Sequence, residues 1–169
     1  MAEQPSEDFR VSDQDNLQKV LVVGIGNEYR GDDGIGVVIA RKIREKCPSS
    51  VCVKEESGEG AALMEAWRGY ESVILVDAVS SGSPPGTIVT IDAGKKKVPA
   101  KLFHSSTHAF GIAEAVELAR AMAMLPPRLW IFGIEGAAFS AGIGMSNEVQ
   151  ESAEHVVEEI LRRVQRESL

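Results

Sequence analysis

An apolar run, Val20-Leu21-Val22-Val23, passes directly into Gly24-Ile25-Gly26-Asn27-Glu28-Tyr29-Arg30-Gly31-Asp32-Asp33-Gly34-Ile35-Gly36. A strand with no polar alternation has to be covered on both faces, which points to a parallel sheet with helices above and below. After the glycines, Ile35, Val38, Ile39 and Ile43 recur at helical spacing. The chain therefore predicts a buried strand, a glycine-rich loop and a helix, with two adjacent carboxylates in the loop. Neighbouring carboxylates resist ionising together unless a cation or a set of donors stabilises them. Such a loop could bind a phosphate, hold a metal or turn a corner.

The same alternation repeats along the chain. Residues 51–53 begin a second strand that runs toward Glu55-Glu56, and residues 61–67 read as a short helix ending before Gly69. Residues 72–76 form an apolar third strand closed by Asp77. Residues 87–91 are β-branched and alternate enough to lie at a sheet edge. The Lys95-Lys96-Lys97 connection reads as a solvated loop, with an acidic partner as the sharper alternative. Ser105-Ser106-Thr107 offers N-caps for a helix from His108 to about Met124, stopped by Pro126-Pro127. Residues 129–134 are the last strand. A final helix begins near Asn147, with Gln150 at capping-box spacing and an apolar stripe of Val149, Ala153, Val156, Val157, Ile160, Leu161 and Val164. The predicted fold is α/β: a three-layer αβα sandwich with a mostly parallel sheet of about five strands and helices on both faces. One domain is expected over residues 19–166, after a flexible tail over residues 1–18.

Composition narrows the class. The 169 residues are 44% hydrophobic and 25% charged, with a net charge of -7. An acidic surface disfavours nucleic-acid backbones and anionic membranes as partners. No apolar run approaches the roughly 20 residues of a membrane span. Residues 1–16 are polar and acidic, without the basic region and apolar core of a signal peptide. The two cysteines, Cys47 and Cys52, are expected as free thiols, so a cytoplasmic location is expected.

In such folds, sites gather beyond the carboxyl ends of the strands. Asn27, Asp77 and Glu135 each fall just past a predicted strand. The Asp32-Asp33 pair, Asp77 and His108 are the chemistry-bearing candidates. A helix N-terminus disfavours an imidazolium, which keeps His108 neutral and able to bind a metal. Two carboxylates and an imidazole suit nickel or zinc. The residues alone do not choose between Asp32 and Asp33, either of which could instead cap the helix. Asp77 could equally serve as a turn acceptor. His104 is a weaker partner for His108, and His155, beside the last apolar stripe, reads as structural or surface.

Gly24-x-Gly26 also suggests a dinucleotide loop, with Glu55-Glu56 at the end of strand two. The third glycine is missing, because position 29 is Tyr29. The two aspartates moreover stand where a pyrophosphate would lie. No H-E-x-x-H, G-x-S-x-G or Walker A pattern occurs.

The run from Gly24 to Gly36 resembles the N-terminal motif of the hydrogenase maturation proteases. The resemblance continues through V-I-L-V-D-A from Val73, P-G-T-I from Pro85, S-S-T-H-A-F-G from Ser105 and F-G-I-E from Phe132. It covers roughly residues 20–164. It implies an endopeptidase that trims the C-terminal extension from the large-subunit precursor of a nickel-iron hydrogenase. The implied metal-contacting residues are Asp33, Asp77 and His108, leaving Asp32 as a cap or supporting group, Asn27 as a turn brace, and Glu135 and His104 as secondary candidates. The resemblance also implies that no metal is permanently bound. The trio contacts nickel already inserted in the precursor, and zinc or cadmium could take its place in a crystal. The nucleophile is not identified, and a monomer is the favoured state. Some members carry glutamate at the position of Asp33, and many have proline where this chain has Gly136. Two other readings are a non-catalytic metal-sensing or chaperone module for the precursor and a dinucleotide-binding oxidoreductase.

Overall fold

The computed structural model describes residues 18–103, 109–142 and 144–167. Its elements in chain order are β1 (Gln18–Ile25), a 3-10 turn (Gly31–Gly34), α1 (Ile35–Lys46), β2 (Val51–Glu56), α2 (Gly60–Ala66), β3 (Tyr70–Val79), β4 (Ile88–Asp92), a second 3-10 turn (Ala100–Phe103), α3 (Ile112–Ala121), β5 (Arg128–Glu135) and α4 (Asn147–Glu167). The expected tail over residues 1–18 lies outside the described residues except for Gln18, which already belongs to β1.

The sheet has the order β2-β1-β3-β5-β4. Strands β2, β1, β3 and β5 pair in parallel, and β4 runs antiparallel to β5 at the edge. The sandwich follows from side-chain alternation along fully apolar strands. Val20, Val22, Ile74, Val76, Phe132 and Ile134 meet α1 and α4, and the stripe read from the sequence buries Val149, Ala153, Val156, Val157, Ile160 and Val164 there. Leu21, Val23, Val73, Leu75, Leu129 and Ile131 face α2 and α3 through Leu63, Trp67, Ile112 and Val116. By the same alternation Asp77 belongs to the α2/α3 side. Both cysteines are free thiols. No helix among the described residues is long and apolar enough to cross a membrane.

The motif glycines serve packing. A Cβ at Gly36, in the first turn of α1, would collide with the carbonyl oxygens of Ile25 and Val76, and one at Gly24 would strike the Gly36 carbonyl. Helix α1 therefore lies against β1 and β3 backbone to backbone. Gly36→Ala is expected to cost about 2 kcal/mol, because neither carbonyl can retreat without disturbing the sheet. A chemical denaturation midpoint unchanged from the parent would contradict this contact.

Several local expectations are corrected. Asp77 does not close β3, because pairing with β5 continues past Asp77↔Gly133 to Val79↔Glu135. A polar side chain leaves the backbone ladder intact. Glu135 is likewise the last residue of β5, not a residue beyond it. Helix α3 starts at Ile112, four residues after His108, with Gly111 at its N-cap. The chain is held out of the helix there, because the Phe110 carbonyl accepts from Gly60 N at 2.9 Å and the Glu114 carboxylate accepts from Gly111 N at 3.1 Å. The helix ends at Ala121, where Ala123 adopts φ 54° and Met124 N reaches back to Ala119 O. Asn147 and Gln150 form no capping box. The Gln150 amide donates to the Met145 carbonyl at 2.8 Å, and Asn147 is already the first helical residue.

Candidate active site

The loop after β1 folds back on itself. Gly26 has φ 134°, a region that L side chains rarely adopt, and a Cβ there would collide with the Asp33 carbonyl. Asn27 braces the turn as expected: its Oδ1 accepts from Tyr29 N at 2.9 Å, and its own N–H donates to Asp33 Oδ2 at 3.1 Å. The two adjacent aspartates point to different places. Asp33 faces a cleft of about 480 Å³ that Asp77, Glu28, Arg41 and Ile112 also line. Asp32 is fully buried beneath it.

Neither aspartate caps α1, whose N-cap is Gly34 without a side-chain bond. The Asp32 carboxylate instead accepts from Ala137 N at 2.7 Å, Ala138 N at 3.0 Å and Ser146 N at 2.7 Å, and from the Ser146 hydroxyl at 2.8 Å. It fastens both ends of the segment between Ala137 and Ser146 to the turn that carries Asp33. Burial alone would raise its pKa, but these donors outweigh burial and hold it below the ordinary value. The adjacent pair is thus resolved by dividing the roles, one carboxylate met by a set of donors and the other turned to the cleft.

Asp77 is 7% exposed. Burial first, and the charge of Asp33 second, push its carboxyl well above the usual range, against the pull of the Ala78 N–H that it accepts at 2.8 Å. That coupling brings together two of the three residues expected at the site. His108, the third, and His104 lie outside the described residues. Among the described residues no three His, Cys, Asp or Glu side chains form a group able to hold a metal. Two electrostatically coupled carboxylates lining one cleft are a donor pair that a cation with one further donor would suit.

Glu135, 2% exposed, stands apart from this pair. Its carboxylate accepts from Ser81 N at 2.8 Å, Gly82 N at 3.0 Å and the Ser81 hydroxyl at 2.7 Å, so it shapes the loop after β3. His155 is exposed on α4. The Glu55 expected of a dinucleotide site is instead paired with Arg41 and Arg44 at 3.0 and 2.9 Å. Arg41 also grips Glu28 at 2.7 Å, and these partners lower both glutamates' pKa values. No spacing rule links Glu28 to Arg41, since the loop and the helix meet only in the fold.

Comparison with known proteins identifies the family. The family model described as hydrogenase maturation protease matches residues 35–163, a span that contains Asp77 and His108 and begins just after Asp33. The hydrogenase expression/formation protein HupD of Rhodobacter capsulatus is 31% identical over 127 residues, covering 70% of this chain and 57% of that protein. The match thus spans little more than half of that relative. The hydrogenase 2 maturation protease of Escherichia coli strain K12 is 27% identical over 147 residues, covering 85% and 88% of the two chains. The solution structure of an endopeptidase from Escherichia coli superposes with a TM-score of 0.76 at 26% identity, covering 88% of this chain and 93% of that one. The hydrogenase maturating endopeptidase HybD of E. coli, at 22% identity and a TM-score of 0.68 over 88% and 93% of the chains, shares the fold.

Proposed function

The chain belongs to the hydrogenase maturation protease family, and from that premise we propose that it removes the C-terminal extension of a nickel-iron hydrogenase large-subunit precursor after nickel insertion. The observation that carries this reading is the placement of Asp77. A buried carboxylate at the floor of the cleft, coupled to the charge of Asp33, makes a site for a cation arriving with the substrate. Asp33 and Asp77 supply two oxygen ligands, and His108, on the segment before α3, supplies the nitrogen. The nickel belongs to the substrate and is not a resident cofactor. A metal so held lends electrophilic assistance to peptide hydrolysis. The chain's own residues orient the metal and the peptide: Asn27 N holds Asp33, and Ala78 N holds Asp77.

The deciding experiment incubates the protein with nickel-loaded and nickel-free precursor and follows the C-terminal peptide by mass spectrometry. Trimming confined to the loaded form supports the reading. Binding of the loaded form with no loss of mass would favour a non-catalytic sensing module. His108→Ala is expected to abolish trimming, whereas His155→Ala, at an exposed position on α4 that does not line the cleft, is expected to leave it unchanged. Equal activity of the two variants would remove the histidine from the site.

A further inference from the structure

Among the described residues Tyr29 is the most exposed of the large hydrophobic side chains, at 76%, ahead of Met122 at 55%. It occupies the position where a dinucleotide loop would need glycine. Its ring contributes little to the core, yet its backbone is tightly held. Tyr29 N donates to Asn27 Oδ1 at 2.9 Å, and the Tyr29 carbonyl accepts from Gly142 N at 3.3 Å. Three residues further on, Asp32 anchors the same turn through Ala137, Ala138 and Ser146. An exposed aromatic ring therefore stands on a hydrogen-bonded turn.

Its position gives that ring a use. Tyr29 lines the cleft that leads to Asp33 and Asp77. Asp77, at 7% exposure, lines the same cleft, so among the described residues a polypeptide entering this opening passes Tyr29 on its way to that carboxyl. Of the charges that line the cleft, Arg41 is paired with Glu28 and Glu55, while Arg30 and Glu56 line it as well. The aromatic face is the most exposed large apolar surface on the lip. A tyrosine has only two side-chain torsions to freeze, so its ring offers a large contact area at low entropic cost.

We propose that Tyr29 is a docking and specificity-determining residue whose ring packs against the hydrogenase precursor polypeptide as it enters the cleft. This rests on the assignment of the precursor as substrate. The contact is made by the face of the ring, not by the hydroxyl, and it acts on binding while the reacting atoms lie deeper, beside Asp33 and Asp77.

The test compares the parent, Tyr29→Ala and Tyr29→Phe on the cognate nickel-loaded precursor, with Kd measured by biolayer interferometry and kcat and KM from trimming. Tyr29→Ala is expected to raise Kd and KM about tenfold, with kcat within about twofold and an unchanged melting temperature. Tyr29→Phe is expected to stay within about twofold of the parent throughout. An alanine variant with parental Kd, a fall in kcat at constant KM, or a phenylalanine variant as impaired as alanine would each overturn the proposal. If the parent binds the precursor without cutting it, the processing assignment fails while the Kd comparison still decides the docking role. A parent that neither binds nor cuts overturns both.

Discussion

Asp77→Asn is expected to lower trimming of the nickel-loaded precursor by more than about 100-fold while leaving the protein as stable as the parent or more so. The size follows from the proposed role. Replacing a group that merely supports a metal ligand costs about 10- to 100-fold, and replacing the ligand itself costs more. The stability half follows from burial. Asp77 is 7% exposed, and both burial and Asp33 raise its pKa. The folded state therefore holds a proton that the unfolded chain releases near pH 3.9, and stability falls as pH rises from there through the folded pKa. Asparagine removes that loss, and its side-chain oxygen can still accept from Ala78 N. The variant should melt at or above the parent temperature near neutral pH, with the difference vanishing as pH falls toward about 4. Full activity in this variant would remove Asp77 from the site, and a lower melting temperature would make it a structural residue.

Asp32→Ala is expected to act in the opposite way, mainly on the fold. Truncation leaves the N–H groups of Ala137, Ala138 and Ser146 without the carboxylate they now share. Losing several charge-assisted bonds between a buried carboxylate and part-buried donors should cost about 4 kcal/mol, a fall of roughly 8–16 °C in melting temperature for a chain of this size. Asp32→Asn, which keeps one acceptor oxygen, should fall between alanine and parent. The sign with pH is also defined. The Asp32 pKa is lowered in the folded state, so its stabilisation is present above about pH 4 and is lost as pH falls through the folded value. The gap between parent and Asp32→Ala should therefore close on acidification. A melting temperature within about 2 °C of the parent would show that the 136–146 loop is held by other contacts.

Much of the fold was legible because burial leaves a periodic record. Strands covered on both faces read as unbroken apolar runs, and β1, β3 and β5 were visible that way. The α4 stripe was legible at helical spacing, and the β-branched edge strand was placed at the edge where it lies. Element ends were less legible, because they depend on partners distant in sequence. β3 outlasts Asp77 because β5 continues beside it. α3 starts late because Gly60 holds the Phe110 carbonyl.

The site divides in the same way. Asp33, Asp77 and His108 could be proposed from the ends of predicted elements together with the family resemblance, and Asn27 could be proposed as the brace of the turn. Asp32 was recognised as a supporting group, but its task was not. The spacing of 105 residues between Asp32 and Ala137 carries no periodicity, and the bond between them exists only once the sheet has placed β1 beside β3 and β3 beside β5. The pairing of Arg41 with Glu28 and Glu55 was hidden for the same reason.

By itself the sequence determined the layers, the apolar faces and the family, because these follow from local periodicity and a short ordered set of motifs. The family resemblance already pointed to Asp33, but only the tertiary structure decided what places that aspartate, and not Asp32, at the cleft. That choice depends on where Ala137, Ala138 and Ser146 lie, since their donors stabilise one carboxylate in the interior and leave Asp33 to the cleft it shares with Asp77.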